Sequence, residues 1–189
     1  LWINAGTKVI YPEKFAGDRR EIYVDGEVYG EIAHNLAWPF VIKTKRAGIE
    51  VLGTTLNVNA YEKEEELSVV LVGGKVAVTN KGRKSELAPN QMYFSSGEHD
   101  YITAVDVEEY VSWKDGNYKF RNEKIATIVK RLSKYYNINI VADLSTSGLT
   151  CSGELILKDE LIRVLDVICN TAQIQYTWDS EKRTYMLHR

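Results

Sequence analysis

The stretch "VLGTTLNVNAY", residues 51–61, decides how the first half of this chain can fold. Its apolar residues alternate in two phases that do not match. Ile49 and Val51 hold one phase, and the other phase is held by Leu52, Leu56, Val58 and Ala60. Because a strand points successive side chains to opposite faces, a slip of one residue would turn a whole apolar set toward water. Glycine allows backbone angles closed to other residues, so the sequence predicts one strand with a β-bulge at Gly53–Thr54.

Residues 1–105 have the sequence pattern of an all-β domain, either a sandwich or a stack of sheets. Short alternating runs such as "EIYVDGEVYGEI" and "PFVIKT" are separated by turn-forming residues, and no amphipathic helix of useful length occurs. In "LSVVLVGGKVAVTN", two apolar runs flank Gly73–Gly74, which can supply the positive φ angles of a tight turn. We therefore predict a β-hairpin at these glycines.

Residues 106–189 follow a different pattern, which predicts a small α+β domain. Asp106 is a suitable N-cap for a short linker helix within residues 106–116. Two βαβ units follow, and we expect them to share one small sheet. The first has strands "YKF" and "INIV", the second has strands "LTCSGELIL" and "IQYTW", and "TYMLHR" forms a last strand.

Each βαβ unit contains one amphipathic helix, predicted over residues 122–136 and 159–172. Apolar residues recur at offsets of 0, 3, 4 and 7, which places them on one face of a helix. These residues are Ile125, Ile128, Val129 and Leu132 in the first helix, and Leu161, Val164, Leu165 and Ile168 in the second.

Composition and motifs argue against most catalytic and nucleic-acid-binding classes. The chain has 24 basic and 26 acidic residues and a net charge of −2, so it carries no basic field for nucleic acid. The sequence contains no HExxH, no GxSxG and no phosphate-binding glycine loop. The three histidines lie far apart, and we expect the two cysteines to be free thiols: His34, His99 and His188, and Cys151 and Cys169. We therefore expect no cofactor, no metal and no enzyme.

The membrane and targeting signals are also missing from these 189 residues. No apolar run is long enough to span a bilayer, and the first residues are neither a signal peptide nor a transit peptide. The opening "LWINAGTKVIY" has the pattern of the inside of a strand. We therefore expect the chain to be cut from a longer protein.

The Gly53–Thr54 step is the one candidate for chemistry. The threonine hydroxyl lies next to the preceding carbonyl, and in a twisted backbone its oxygen can attack that carbon. The acyl group then moves from nitrogen to oxygen, and hydrolysis of the ester cuts the chain. Such a reaction needs backbone strain and stabilisation of the tetrahedral oxygen. The structural alternative is a conformational joint that keeps the β-domain in register.

Several blocks of this sequence resemble the periplasmic region of FecR-type anti-sigma factors. They are "LWINAGTKVIYPEKFAGDRREIYVDGEVYGEIAHNLAWPFVIKT", "VLGTTLNVNAY", "LVGGKVAV" and "LAPNQM", in that order. The segment "YVSWKDGNYKFRNEKIATIVKRLSKYYNINI" resembles the C-terminal module of the Bacteroidetes branch. That module is akin to the short N-terminal domain of secretins and TonB-dependent receptors.

The resemblance implies a receiving domain in a signalling pathway. Such proteins cross the inner membrane once and hold an extracytoplasmic-function sigma factor through a cytoplasmic part, which is absent here. Their periplasmic part detects the N-terminal signalling domain of an outer-membrane TonB-dependent transporter. The resemblance therefore implies a periplasmic location and these two partners, with no nucleic acid and no membrane contact by this region.

The resemblance also bears on Gly53–Thr54. Some members of the family cut themselves at the Gly-Thr bond of this block, which places the nucleophile at Thr54 here. The sequence departs from the family at Leu56, where Phe is common, and at Gly73, where an acid is common. Neither change removes the glycine or the threonine.

Two further functions remain open on the residues alone. The β-domain could bind or process carbohydrate through tryptophans such as Trp2 and Trp38. The second domain alone could serve secretin-type assembly, which predicts ring-like oligomers. For the signalling function, we expect an exposed sheet edge in the second domain, either "IQYTW" or "TYMLHR", to accept a strand of the transporter domain.

Overall fold

The computed structural model describes residues 1–189 and divides them into two units, Leu1–Val111 and Ser112–Arg189. The first unit is built of strands, as its alternating sequence predicts. Their bounds are β1 (Trp2–Ile3), β2 (Lys8–Ile10), β3 (Arg20–Glu31), β4 (Phe40–Lys43), β5 (Ala47–Val51), β6 (Thr55–Ala60), β7 (Glu66–Gly73), β8 (Val76–Asn80), β9 (Arg83–Leu87), β10 (Gln91–Ser96) and β11 (His99–Ala104).

The long strand β3 belongs to two sheets. Its first residues pair in parallel with β4 and antiparallel with β2, whereas residues 26–31 pair antiparallel with β6. One sheet therefore runs β11–β10–β7–β6–β3, and the other runs β3–β4–β5–β8–β9. Buried residues of both sheets form one core, including Ile22, Val24, Val28, Ile42, Ile49, Leu56, Val58, Leu71 and Val78. The predicted all-β fold class is confirmed for this unit.

The phase slip in residues 51–61 marks a change of sheet. Strand β5 pairs with β4 and β8, whereas β6 pairs with β3 and β7. Gly53 and Thr54 lie in the connection between them, so the prediction of one bulged strand is wrong. The irregularity in pairing lies on β7, where Val72 is the extra residue opposite Thr55 and Leu56. Each strand keeps its own alternation because each faces the core from its own sheet.

The predicted hairpin at Gly73–Gly74 is also wrong. Strand β7 pairs with β6 and β10, and β8 pairs with β5 and β9, so the chain crosses from one sheet to the other here. Gly74 has φ +94, a positive angle of the kind that the glycine pair predicted. A glycine pair indicates a sharp change of direction, but it does not indicate which strands will pair.

The second unit contains helices between two small sheets. A short helix, α1 (Glu108–Val111), ends the first unit, and the second unit begins with a 3-10 turn (Ser112–Asp115). Its other elements are β12 (Asn117–Lys124), α2 (Ile125–Tyr136), β13 (Asn139–Ala142), β14 (Thr150–Ile156), α3 (Leu161–Ala172), β15 (Gln175–Asp179) and β16 (Thr184–His188). Helix α2 packs on β12 and β13, and α3 packs on β14 and β15. The apolar stripes that predicted the helices are buried apart from the half-buried Leu161, and Ile125, Ile128, Leu132 and Leu165 are fully inaccessible.

The two βαβ units do not form one common sheet, in contrast to our expectation, because the two strands of each unit lie in different sheets. Strands β12 and β14 form an antiparallel pair, and β13, β16 and β15 form a three-stranded sheet in that order. Each helix therefore contacts one strand of each of the two sheets. The α+β class of this unit is confirmed. No helix of the chain is both long and apolar enough to cross a membrane.

Candidate functional site

The two connections between the sheets lie side by side and form the candidate site. We call it the crossover site and define it by His34, Gly53, Thr54, Gly74 and Lys75. The Thr54 hydroxyl donates a hydrogen bond to the Lys75 carbonyl oxygen at 2.7 Å. A Cβ placed on Gly74 would lie 2.6 Å from the Gly53 carbonyl oxygen, so only glycine fits there. The two glycine steps that the sequence singled out separately therefore meet in space.

Gly53 is held in a conformation that other residues rarely adopt. Its φ is +153, and a Cβ at this position would lie 2.4 Å from Nδ1 and 2.5 Å from Cα of His34. His34 therefore packs directly on Gly53. This contact was not predicted, because the 18 residues between His34 and Gly53 carry no signal that pairs them. An L side chain at Gly53 would be strained by its backbone angles and by the contact alike.

Backbone hydrogen bonds fix the Gly53–Thr54 peptide against residues 32–35. The Thr54 N–H donates to the Ile32 carbonyl at 3.2 Å, and the Ile32 N–H donates to the Thr54 carbonyl at 2.9 Å. The Asn35 N–H donates to the Leu52 carbonyl at 2.7 Å. Thr54 is buried, so its hydroxyl is shielded from water. The site can hold a hydroxyl oxygen beside a peptide bond in a fixed geometry.

A second polar cluster, the N-terminal clamp, fastens residues 4–7 to the middle of β3. The buried Glu27 carboxylate accepts hydrogen bonds from the side-chain amides of Asn4 at 2.7 Å and Asn57 at 2.9 Å. The Glu27 N–H donates to the Thr7 hydroxyl at 2.9 Å, and the Tyr61 hydroxyl donates to the Ala5 carbonyl at 2.8 Å. Burial raises the pKa of Tyr61 to about 12. This cluster gives the "NAGT" block a structural role.

The tryptophans expected for carbohydrate contact are both packed against protein groups. The Trp2 ring meets Tyr29 edge-on at 5.3 Å. The Trp38 indole N–H donates to the Gly17 carbonyl at 3.1 Å, and the Arg20 guanidinium lies 5.7 Å from its ring centre. Beside Arg20 is an apolar cavity of about 400 Å³, whose lining includes Leu1, Ile3, Val9, Phe15, Ile22 and Phe40.

Only one of the two strands predicted as a docking edge lies at an edge. Strand β16 is central in its sheet, between β13 and β15, so the prediction for "TYMLHR" is wrong. Strand β15, which contains "QYTW", has no neighbour on its outer side. Trp178 on this strand is 45% exposed, and its ring packs against that of Tyr185 at a tilted angle, with ring centres 4.6 Å apart.

The remaining candidate groups do not assemble into a reactive centre. The structure holds no cluster of three or more potential metal ligands. Burial raises the pKa of Cys169 to about 11 and also raises the pKa of Cys151, so both thiols stay protonated at neutral pH. The crossover site is therefore the strongest candidate for chemistry, and the open sheet edges are the strongest candidates for binding.

The chain matches two family models in sequence. Residues 1–77 match the model described as FecR protein, and residues 117–186 match the model described as FecR, C-terminal. No curated protein matches the chain.

The fold is similar to two crystal structures of a proposed anti-sigma factor from Parabacteroides distasonis ATCC 8503, at 1.65 and 2.50 Å resolution. They are 27% identical in sequence to this chain, with TM-scores of 0.87 and 0.86. The alignment covers 99% of this chain and 88% of the other chain in each case.

Proposed function

We propose that this chain, which belongs to the FecR family, is the signal-receiving part of an anti-sigma factor. The observation that carries the proposal is the similarity of the fold to the Parabacteroides protein over 99% of the chain. The similarity extends across both units. It therefore concerns the combination of the two units and does not rest on the fold of one unit alone. The implied partner on the regulatory side is a sigma factor, held by a part of the protein outside these residues.

The proposed signal comes from an outer-membrane TonB-dependent transporter. In this proposal the chain lies in the periplasm, as part of a protein anchored in the inner membrane. The N-terminal signalling domain of the transporter binds it, and substrate binding at the transporter leads to release of the sigma factor. Two units with separate cores and open sheet edges suit a role in protein recognition.

The proposed contact is strand addition at β15. Its outer side has no neighbour, so its outward N–H and C=O groups can pair with a strand of the transporter domain. Gln175, Thr177 and Trp178 are exposed along it, and Trp178 would supply an aromatic anchor at the end of the new contact.

Isothermal titration calorimetry tests this function. The chain is titrated with the purified N-terminal signalling domain of the transporter encoded beside it, and a saturable one-to-one complex is expected. The signalling domain of an unrelated transporter is the control and should give no heat of binding. Absence of binding at protein concentrations of about 0.1 mM would contradict a direct receiving role. A Kd well above that concentration is too weak for a specific complex.

We propose a second function, a single self-cleavage at Gly53–Thr54. The observation that favours it is the packing of the crossover site, where the Thr54 hydroxyl is buried and Gly53 has φ +153 under His34. Thr54 Oγ1 would attack the Gly53 carbonyl carbon while the hydroxyl proton passes to the departing amide nitrogen. Water would then hydrolyse the ester, which leaves a carboxylate on Gly53 and restores the Thr54 hydroxyl.

Intact-mass spectrometry of the purified chain tests self-cleavage. The expected products are residues 1–53 and 54–189, which should remain associated because β3 pairs with β6 and β5 pairs with β8 across the cut. Thr54→Ala should stay intact, and Thr54→Ser should be cut, because serine keeps the nucleophilic oxygen. A single uncut mass for the natural chain after long incubation would exclude the reaction in this part of the protein.

A further inference from the structure

We propose that strand β11 is a self-association edge, at which two copies of this chain pair antiparallel through Ile102. The proposal concerns the first unit and does not depend on the proposed function. Strand β11 is the last strand of its sheet and pairs only with β10. It is exposed almost throughout, with Tyr101 at 49% and Ile102 at 41% of their accessible surface.

The hydrogen-bond pattern identifies which groups of β11 are free. The Val105 N–H donates to the Asn90 carbonyl at 2.9 Å, in continuation of the β10–β11 register. Residues of an antiparallel ladder alternate between facing their partner and facing away. Asp100, Ile102 and Ala104 therefore direct their N–H and C=O groups away from β10, toward the open side.

The two outer strands of the first unit, β9 and β11, differ in how they are protected against pairing with another chain. At the opposite end, β9 carries Arg83 and Lys84, and charged residues of this kind prevent edge-to-edge pairing. Strand β11 reads His-Asp-Tyr-Ile-Thr-Ala, with no lysine, arginine or proline. Its central Tyr-Ile-Thr has high strand propensity. Strand β11 therefore lacks the basic residues that protect β9 against edge-to-edge pairing.

The sequence of β11 is complementary to itself in one register. If Ile102 faces Ile102 of the second copy, Asp100 faces Ala104 and Tyr101 faces Thr103. No like charges are then directly opposite, and the outward N–H and C=O groups of Asp100, Ile102 and Ala104 meet each other. Both copies keep their core-facing residues on the same side of the continuous sheet. The net charge of −2 per chain adds little repulsion.

The contact is narrow, so the dimer should be weak. Six residues span roughly 20 Å, and such an edge buries less than the ~1,000 Å² of a stable interface. We expect monomers at roughly 1 µM and a growing dimer fraction at roughly 0.1–1 mM. Sedimentation velocity over this range measures the dissociation constant, and light scattering gives the mass.

Proline substitutions provide the decisive comparison. Ile102→Pro removes an outward donor without removing a bond to β10, and it should weaken the dimer at least tenfold. Lys84→Pro on β9 is the matched control and should leave the dimer unchanged. Ile102→Lys places two lysines face to face and should also abolish it. Circular dichroism establishes that each variant is folded.

A natural chain that stays monomeric at about 1 mM would overturn the proposal, and would leave the edge to a strand of another protein. A dimer that survives both Ile102 variants would overturn it as well. Amide exchange adds an independent readout. The Ile102 amide should become protected as concentration rises, whereas the Tyr101 amide, bonded within the sheet, should already be protected.

Discussion

At the scale of single residues, Thr54 connects the two crossings of the first unit. Its hydroxyl donates to the Lys75 carbonyl in a buried setting. Thr54→Ala should lower the free energy of unfolding by about 1–3 kcal/mol, because it leaves that carbonyl without its donor. Thr54→Ser should cost about 1 kcal/mol or less, since it removes only a methyl group. Urea denaturation compares the two, and equal losses would contradict a role for this hydrogen bond.

Tyr61 makes stability depend on alkaline pH. Burial raises its pKa from 10.0 to about 12, so the folded state favours the neutral phenol. The resulting stability is fully present below about pH 10 and is lost as the pH rises toward 12. As the pH rises from 10 to 12, the free energy of unfolding of the Tyr61→Phe variant should therefore fall less than that of the natural chain. Tyr11→Phe, at a residue 68% exposed, is the control and should follow the natural chain.

Sequence reasoning found Gly53, Thr54 and Gly74 of the crossover site, but not His34, Lys75 or the geometry that joins them. Gly53 and Thr54 stood out because the alternation of apolar residues slips there. The contact with His34 and the hydrogen bond to Lys75 join residues distant in sequence, and local pattern carries no information on such pairs. Glu27 was missed altogether, because one acid in an alternating strand resembles any solvent-facing residue until Asn4 and Asn57 are placed beside it.

At the scale of elements, the position of a strand in its sheet decides what it can bind. Strand β15 is an edge and β16 is central, so equivalent changes should have different effects. Thr177→Lys on β15 should weaken binding of the transporter domain at least tenfold, because a lysine on an edge opposes strand addition. Its melting temperature should change little, since Thr177 is exposed. Calorimetry and thermal denaturation measure the two effects, and unchanged binding would exclude the β15 edge.

Helices were predicted more reliably than strand partners, and the reason is physical. The stripes of α2 and α3 are local, because residues 3 and 4 apart share a face within one element. A strand's pattern shows which face is buried, but its partner is chosen by contacts across the whole unit. This is why Gly73–Gly74 could be read as a turn and still be assigned wrongly to a hairpin.

At the scale of the whole molecule, two separate cores support the two units. Leu71 lies in the first core and Leu165 in the second, and both are fully buried. Leu165→Ala should cost about 2–5 kcal/mol and speed amide exchange chiefly within residues 112–189. Leu71→Ala should instead speed amide exchange chiefly within residues 1–111. Uniform acceleration in both variants, measured by exchange and mass spectrometry, would mean that the units unfold as one.

The membership of β3 in both sheets has a consequence for synthesis on the ribosome. Its neighbours are β1 and β2, made before it, and β4 and β6, made after it. The strand therefore cannot complete its pairing until Ala60 has left the exit tunnel. Neither sheet can close before that moment, and pairings between distant segments form slowly. During this interval the nascent chain exposes the apolar residues of β3, and this is when it most needs protection from aggregation.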